Sequence, residues 1–394
     1  MSDARIAAIA RAAGRTGLTT ASRAWEIATR PRARTADDIP VSAAAITEEW
    51  LTAVLCHDHP GVSVVRAAAS DATSQTTSRV ALRLTYSDGA PDDLPRDVFV
   101  KLTSSGRQRL FLGLIRIIDG EPEFYDRLRP LAEFECPVGY FGAHHPRSWA
   151  SAVVIENIAV TRGATFCHAD TPIDRAGIES LVATMASYHG QYWEHPAIVD
   201  SSLKRPADHV HNVGTFINMR RQARVGAERA GDRFPAELAD RHDELWDGLR
   251  RSVDVLSHRV PPTLLHGDPH VGNVYRTADG RLALTDWQVV MRGGWAYDFA
   301  DAIASALTVE DRRAWERDLL ELYLERLERA GGHAPELDDA WRLYRQSLFY
   351  PLFCWATVLG APGWMPDTQP VDVTKVIIER TATAIADLGA LDVR

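Results

Sequence analysis

Eight residues concentrate much of the chemistry this chain can offer. His266-Gly267-Asp268-Pro269-His270-Val271-Gly272-Asn273 brings two histidines, a carboxylate and a carboxamide into one run behind the apolar Leu264-Leu265. A second apolar run, 282–285, then delivers Asp286 beside Trp287. Phosphoryl transfer needs a carboxylate to orient or deprotonate the attacking hydroxyl, and oxygen ligands for the magnesium that bridges the phosphates. Asp268 answers the first need; Asn273 and Asp286 answer the second.

Loops rich in Asp, Asn and Gly are ordinary turn chemistry. Here the step from Asp268 to Asn273 equals that of the H-R-D-x-x-x-x-N catalytic loop. Gly267 stands where that loop has Arg, and His270 lies inside it. With His266-Gly267 and a strand-borne Asp286 added, the run reads as a site rather than a turn.

A nucleotide must also be held. Lys101 ends the otherwise apolar 97–102 run and is positioned to neutralise phosphate charge. Its expected partner is a helix glutamate about twenty residues on, and Glu121 is favoured over Glu123 because it precedes Phe124-Tyr125 by a helical turn. The stretch 71–79, between two strands, contains no glycine, but its amides and the hydroxyls of Thr76, Thr77 or Ser78 could meet phosphate oxygens. Backbone groups near Glu156 and Ile158, after the apolar 152–155 run, are expected to pair with the adenine edge. No G-x-x-x-x-G-K-[ST] or strand-linked G-x-G-x-x-G is present.

These loops need elements to carry them. An Arg-rich extension, 1–45, has seven Arg from Arg5 to Arg34 against Asp3 and Glu26, and is expected to lie partly helical on the body or to fray. Thr47 caps a first firm helix, with Glu48 and Glu49 in its first turn and Trp50, Leu51, Val54 and Leu55 on one face. Short strands follow over 64–102, where Val80, Leu82 and Leu84 alternate with Ala81, Arg83 and Thr85 and Ser87-Asp88-Gly89 supplies a turn. Beyond Asn157 helical spacing dominates, interrupted by a strand-rich island at 263–287. The expected organisation is the 1–45 extension, a nucleotide-binding lobe at 46–156 and a catalytic and substrate lobe at 157–394.

With 394 residues, 45% hydrophobic and 25% charged, the chain suits an ordinary globular protein of more than one lobe. A formal charge of −9 speaks against nucleic acid as the main partner. No apolar run is long enough to span a bilayer, so no membrane partner and a cytoplasmic location are expected. Cys56, Cys136, Cys167 and Cys354 are too scattered for a zinc site or disulfide framework. His144-His145 lacks further ligand spacing and reads as surface loop.

Together these residues resemble the aminoglycoside phosphotransferase and choline kinase-like superfamily, closest to its ecdysteroid kinase-like (bacterial phosphotransferase) branch. The carriers are 265–273, Thr285-Asp286-Trp287-Gln288, Gly293-Gly294 and Asp298-Phe299-Ala300. Lys101 with Glu121-x-x-Phe124-Tyr125, Glu156-Asn157-Ile158 and Tyr188-His189-Gly190 add to them. The glycine-free 71–79 stretch departs from the pattern. The resemblance implies an α+β, bilobal protein-kinase-like fold, with a small β-rich N-lobe and a larger, mainly helical C-lobe. It implies ATP and Mg2+ as cofactors and a small-molecule alcohol as acceptor. Asp268 would be the catalytic aspartate, with His266 bracing the loop beside it. Asn273 and Asp286 would bind metal. His270 would support the loop, and Asp298 would anchor it from the following helix.

The acceptor is expected to be a partly apolar alcohol such as a steroid or secondary metabolite. Trp193, Trp295, Phe349, Tyr350, Phe353, Trp355 and Trp364 are its candidate wall. Two alternatives are an aminoglycoside or macrolide O-phosphotransferase, and a catalytically silent kinase fold serving as a binding module.

Overall fold

The Arg-rich start folds as helix α1 (Asp3–Thr29). A computed structural model describes residues 3–74, 78–363, 365 and 369–393. The chain divides into two units, 1–131 with 137–163 and 132–136 with 164–394.

In the first unit, α1 is followed by α2 (Glu48–Leu55), capped as its sequence suggests: the Thr47 hydroxyl accepts the Trp50 N–H at 3.0 Å. The strands are β1 (Val64–Ser74), β2 (Ser78–Tyr86), β3 (Asp97–Leu102), β4 (Gly139–His145) and β5 (Ala150–Glu156). They form one antiparallel sheet in the order β1-β2-β3-β5-β4. The period of two in β2 buries Val80, Leu82 and Leu84 in the same core as Val98 and Val100 of β3 and the apolar face of α2. On the opposite face, Arg83 forks onto Asp97 at 2.9 and 2.8 Å. Helix α3 (Gly106–Leu114) follows β3, and a short helix, Gly120–Glu123, leads into a wider turn, Phe124–Leu128.

The hydroxyl-rich loop expected over 71–79 is shorter than that. Residues 71–74 continue β1, with Thr73 opposite Arg79 and Ser74 opposite Ser78. Hydroxyl and β-branched residues suit a pleated ladder, so the hairpin extends through them. Gln75, Thr76 and Thr77 lie outside the described residues, as does the side chain of Ser78, whose backbone opens β2 opposite Leu102.

The second unit is mainly helical. Its longer helices are α4 (Arg175–Gln191), α5 (Pro206–Phe216), α6 (Met219–Ala230), α7 (His242–His258), α8 (Ala296–Ala306), α9 (Val309–Arg329), α10 (Leu337–Ser347), α11 (Phe349–Leu359) and α12 (Val371–Asp387). Between them lie β6 (Thr165–Phe166), β7 (Thr263–Leu265), β8 (Val274–Arg276), β9 (Leu282–Leu284) and β10 (Met291–Gly293). These pair as a three-stranded sheet, β6-β8-β9, and a two-stranded one, β10-β7. A sheet unit followed by a mainly helical one is the layout of the kinase-like fold. Among the described residues, no helix is long and apolar enough to cross a membrane.

The expected aromatic wall is largely core. Trp295 is fully buried and stacks on Tyr323 with centroids 4.8 Å apart. Phe349 and Phe353 are buried on α11, which is apolar nearly all round. Trp193 sets its edge against His333, and Trp364 lies outside the described residues. An apolar helix buried on every side must fill its neighbours' grooves, which uses these rings for packing.

Helices α6 and α11 cross at backbone contact. A Cβ on Gly226 would lie 1.9 Å from the Ala356 carbonyl oxygen, and one on Gly360 1.9 Å from that of Gln222. Gly226→Ala should therefore force the helices apart and lower stability by about 1–3 kcal/mol. Urea denaturation checks this; an unchanged midpoint would show that the crossing tolerates a methyl group.

Candidate active site

The strand β7 ends in a loop whose backbone is held by one carboxylate. Asp298, in the first turn of α8 and fully buried, accepts the His266 N–H at 2.7 Å and the Gly267 N–H at 2.9 Å. It also accepts the Tyr188 hydroxyl at 2.7 Å and meets His189 Nε2 at 3.3 Å. Burial opposes its ionisation, but the hydrogen bonds from His189 and Tyr188 and the nearby His266 outweigh it and hold the carboxyl below the usual aspartate range. Burial depresses the His189 pKa. The neutral ring donates Nε2–H to Asp298 and accepts the Tyr323 hydroxyl at Nδ1, 2.8 Å away.

Gly267 is required at the bend. Its φ is +83°, and a Cβ would lie 2.4 Å from the Val289 carbonyl oxygen. His266 is fully buried: Nε2 lies 2.9 Å from the Thr285 carbonyl, and Nδ1 accepts the Asp268 N–H at 3.3 Å. Burial lowers its pKa, so it is a neutral bracket between the loop and the residue before Asp286. The enclosed His266 ring joins the loop to the strand end at Thr285.

His270 caps the short turn Val271–Asn273 by accepting the Gly272 N–H at 3.0 Å, and its ring meets Trp355 edge-on at 5.1 Å. Asn273 Nδ2 donates to the Asp268 carbonyl at 2.8 Å and to Asp268 Oδ2 at 3.1 Å. That fixes the carboxamide with its oxygen as the remaining acceptor. The Thr285 N–H donates to the Asn273 carbonyl at 2.9 Å, so Asn273 and Asp286 occupy the same end of the β8–β9 hairpin. Asp286 sits at φ +64°, a left-handed conformation that Asp tolerates better than most side chains. The Trp287 ring is buried against His266, Tyr188 and Phe134.

In the first unit, Lys101 Nζ donates to Glu121 at 2.7 Å, and both side chains are buried. Glu123, the alternative partner, instead pairs with Arg127. The Glu156 N–H is donated to the Val138 carbonyl at 2.8 Å, and its carboxylate is held by Arg162, Thr161 and the Val138 N–H. Glu156 is therefore engaged within its own unit. Ile158 opens the turn Ile158–Thr161, where the first amide has no partner inside the helix.

The sequence reading missed Asp301. It lies one turn beyond Asp298 on α8, is 1% exposed, and has no hydrogen-bond partner for Oδ1. Burial, then the neighbouring Asp268 and Asp298 carboxylates, push its pKa well above the usual value. The i, i+3 spacing was visible in the sequence; the burial was not. Tyr350 and Cys354 of α11 share this neighbourhood: burial comes first, and the Asp268 charge adds to the rise in their pKa values.

The sign of the Asp301 effect is testable. Its carboxyl is ionised in the unfolded chain above about pH 4, while burial and the neighbouring carboxylates make the fold keep the proton to higher pH. It therefore opposes folding increasingly as pH rises from about 4 toward the raised folded value. Asp301→Asn should raise stability at neutral pH, read as a higher thermal midpoint, by about 1.4 kcal/mol for each tenfold rise in folded-state proton affinity. The gain should vanish near the unfolded pKa; equal midpoints at neutral pH would show an ionised Asp301.

Several solved structures are similar in outline. A choline kinase from Streptococcus pneumoniae is 12% identical, covering 86% of this chain and 98% of its own, with a TM-score of 0.44. A macrolide 2'-phosphotransferase from Brachybacterium faecium is 16% identical over 77% of this chain and 91% of its own, with a TM-score of 0.40. A microcompartment-associated aminopropanol kinase is 14% identical over 87% and 99%, with a TM-score of 0.47. No curated protein matches the chain. The model of the phosphotransferase enzyme family, APH, matches residues 94–344, which include Lys101, the whole 266–273 loop, Asp286 and Asp298. The chain belongs to the phosphotransferase enzyme family.

Proposed function

We propose that this phosphotransferase moves the terminal phosphoryl group of ATP, as its magnesium complex, onto a hydroxyl of an uncharged, partly apolar small molecule. The observation that carries the reading is the Asp268 carboxylate. Its side chain is 30% exposed while His266, Gly267, Pro269, His270 and Val271 beside it are buried, and Asn273 holds it from one side. In that setting Asp268 accepts the hydrogen bond of an attacking hydroxyl, orients it, and receives its proton as the new O–P bond forms. His266, Gly267 and Asp298 act through Asp268 by keeping the loop backbone still. Lys101, aimed by Glu121, is the cation for the nucleotide phosphates, and the amide of Ile158 is a donor for the adenine edge.

The donor set fits magnesium. The ion prefers oxygen, keeps several waters, and takes one or two protein ligands when phosphates supply the rest. The Asn273 carboxamide oxygen and the Asp286 carboxylate are such ligands. When bound, the ion neutralises phosphate charge.

An uncharged acceptor is supported by what surrounds Asp268 on the helical side. Burial and the Asp268 charge raise the pKa values of Tyr350, Cys354 and Asp301, and Trp355 abuts His270. That neighbourhood is built of buried Tyr350 and Trp355 and part-buried Cys354, where a polycation would call for a carboxylate cluster.

Asp268→Ala should abolish turnover, with nucleotide affinity and thermal midpoint near wild type; retained turnover would remove Asp268 from the reaction. Asp286→Ala should weaken magnesium-dependent nucleotide binding, read by titration with and without magnesium. The acceptor is tested by ATP consumption across hydroxylated steroids, other secondary metabolites, aminoglycosides and macrolides. Turnover of aminoglycosides or macrolides alone would make the chain an antibiotic phosphotransferase. A folded chain that binds no nucleotide would be a silent kinase fold.

A further inference from the structure

We propose that the N-terminal helix α1 sets the position of Lys101, with Glu26 and Arg109 as positioning residues for the nucleotide-binding strand. The proposal rests on the reading of Lys101 as the phosphate-binding cation. Glu26 lies outside the segment shared with the family, 94–344. This control would therefore belong to the chain's own extension.

The connection runs through Thr103, two residues beyond Lys101. The Thr103 N–H donates to the Ser151 carbonyl at 3.1 Å, and its hydroxyl accepts the Ser151 N–H at 2.8 Å, extending the β3–β5 pairing past Lys101. The Thr103 carbonyl accepts Arg109 Nε at 2.8 Å, so the first turn of α3 is tied back onto the strand end. Arg109 is fully buried, and its Nη1 donates to Glu26 Oε1 at 2.7 Å. Its Nη2 has no hydrogen-bond partner, which leaves Glu26 as the carboxylate that compensates the buried guanidinium. Glu26 is itself gripped by Arg23 at 2.7 Å and by the Ser22 hydroxyl at 3.2 Å.

Over 14–29 the buried residues of α1 are polar, Thr19 and Glu26, whereas Leu18, Trp25 and Ile27 are 54%, 58% and 66% exposed. Among the described side chains, no apolar group of α1 is buried, which leaves the ion pair as its buried charge contact. A buried guanidinium that loses its carboxylate must find water or a new acceptor. In this proposal that rearrangement draws Nε away from the Thr103 carbonyl, which frees the strand end that carries Lys101. Docking of α1 and the aim of Lys101 are coupled through one side chain.

The test uses the full chain with three changes, each measured where circular dichroism shows it folded. Glu26→Gln removes the countercharge. Glu26→Leu with Arg109→Met replaces the pair by apolar groups, which commonly preserves stability, but cuts the Thr103 tether. Lys101→Met reports the assumed role of the lysine. The expected result is a nucleotide dissociation constant about tenfold higher in both Glu26 variants, the paired variant keeping a near wild-type melting midpoint. A folded paired variant with unchanged nucleotide affinity, beside a weakened Lys101→Met, would overturn the coupling alone. Unchanged affinity in Lys101→Met would overturn the phosphate-binding reading and the coupling with it.

Discussion

One buried carboxylate organises the second unit. Asp298 gathers two consecutive loop amides, a tyrosine hydroxyl and a histidine around a group that water cannot reach. A buried carboxylate without donors is costly, and one with several is a rigid node. Because the amides belong to His266 and Gly267, the node fixes the backbone immediately before Asp268. Because the other donors come from α4, it also ties the loop to the helical core. The side chain that would do chemistry need not hold itself; its neighbours are held for it.

The same principle recurs with opposite sign in the first unit. Lys101 and Glu121 satisfy each other inside the sheet unit, and Arg109 and Glu26 do so between α3 and α1. A buried ion pair adds little net stability, but losing one partner leaves a charge with nowhere to go. Such pairs specify geometry. Asp301 is the contrasting case: burial and two neighbouring carboxylates leave protonation as its way to remain inside.

Much of the architecture was legible because local rules agreed with tertiary ones. The Thr47 cap and the period of two in β2 each depend on a few adjacent residues, and the fold used them as written. The aromatic run of α11 was misleading for the opposite reason. Its rings look alike in sequence whether they line a pocket or fill a core, and here Phe353 packs on Trp246 of α7 while Trp355 meets His270. The stretch around Thr73 and Ser74 read as a loop because its polarity dominated, while pairing with β2 extended the ladder through it.

By itself the sequence determined the reaction class and the residue types able to carry it, because the 266–273 run and Asp286 encode that chemistry at short spacing. It also determined the order of a strand-rich part and a helical part, since periodicity is local. Only the tertiary structure decided who holds whom. That Glu121 and not Glu123 meets Lys101, that His266 is a buried bracket, that one oxygen of Asp301 is left without a hydrogen bond and that Glu26 reaches Arg109 all depend on burial and long-range proximity. Protonation and pairing follow from the surroundings of a group, and those surroundings are assembled from residues tens to hundreds of positions apart.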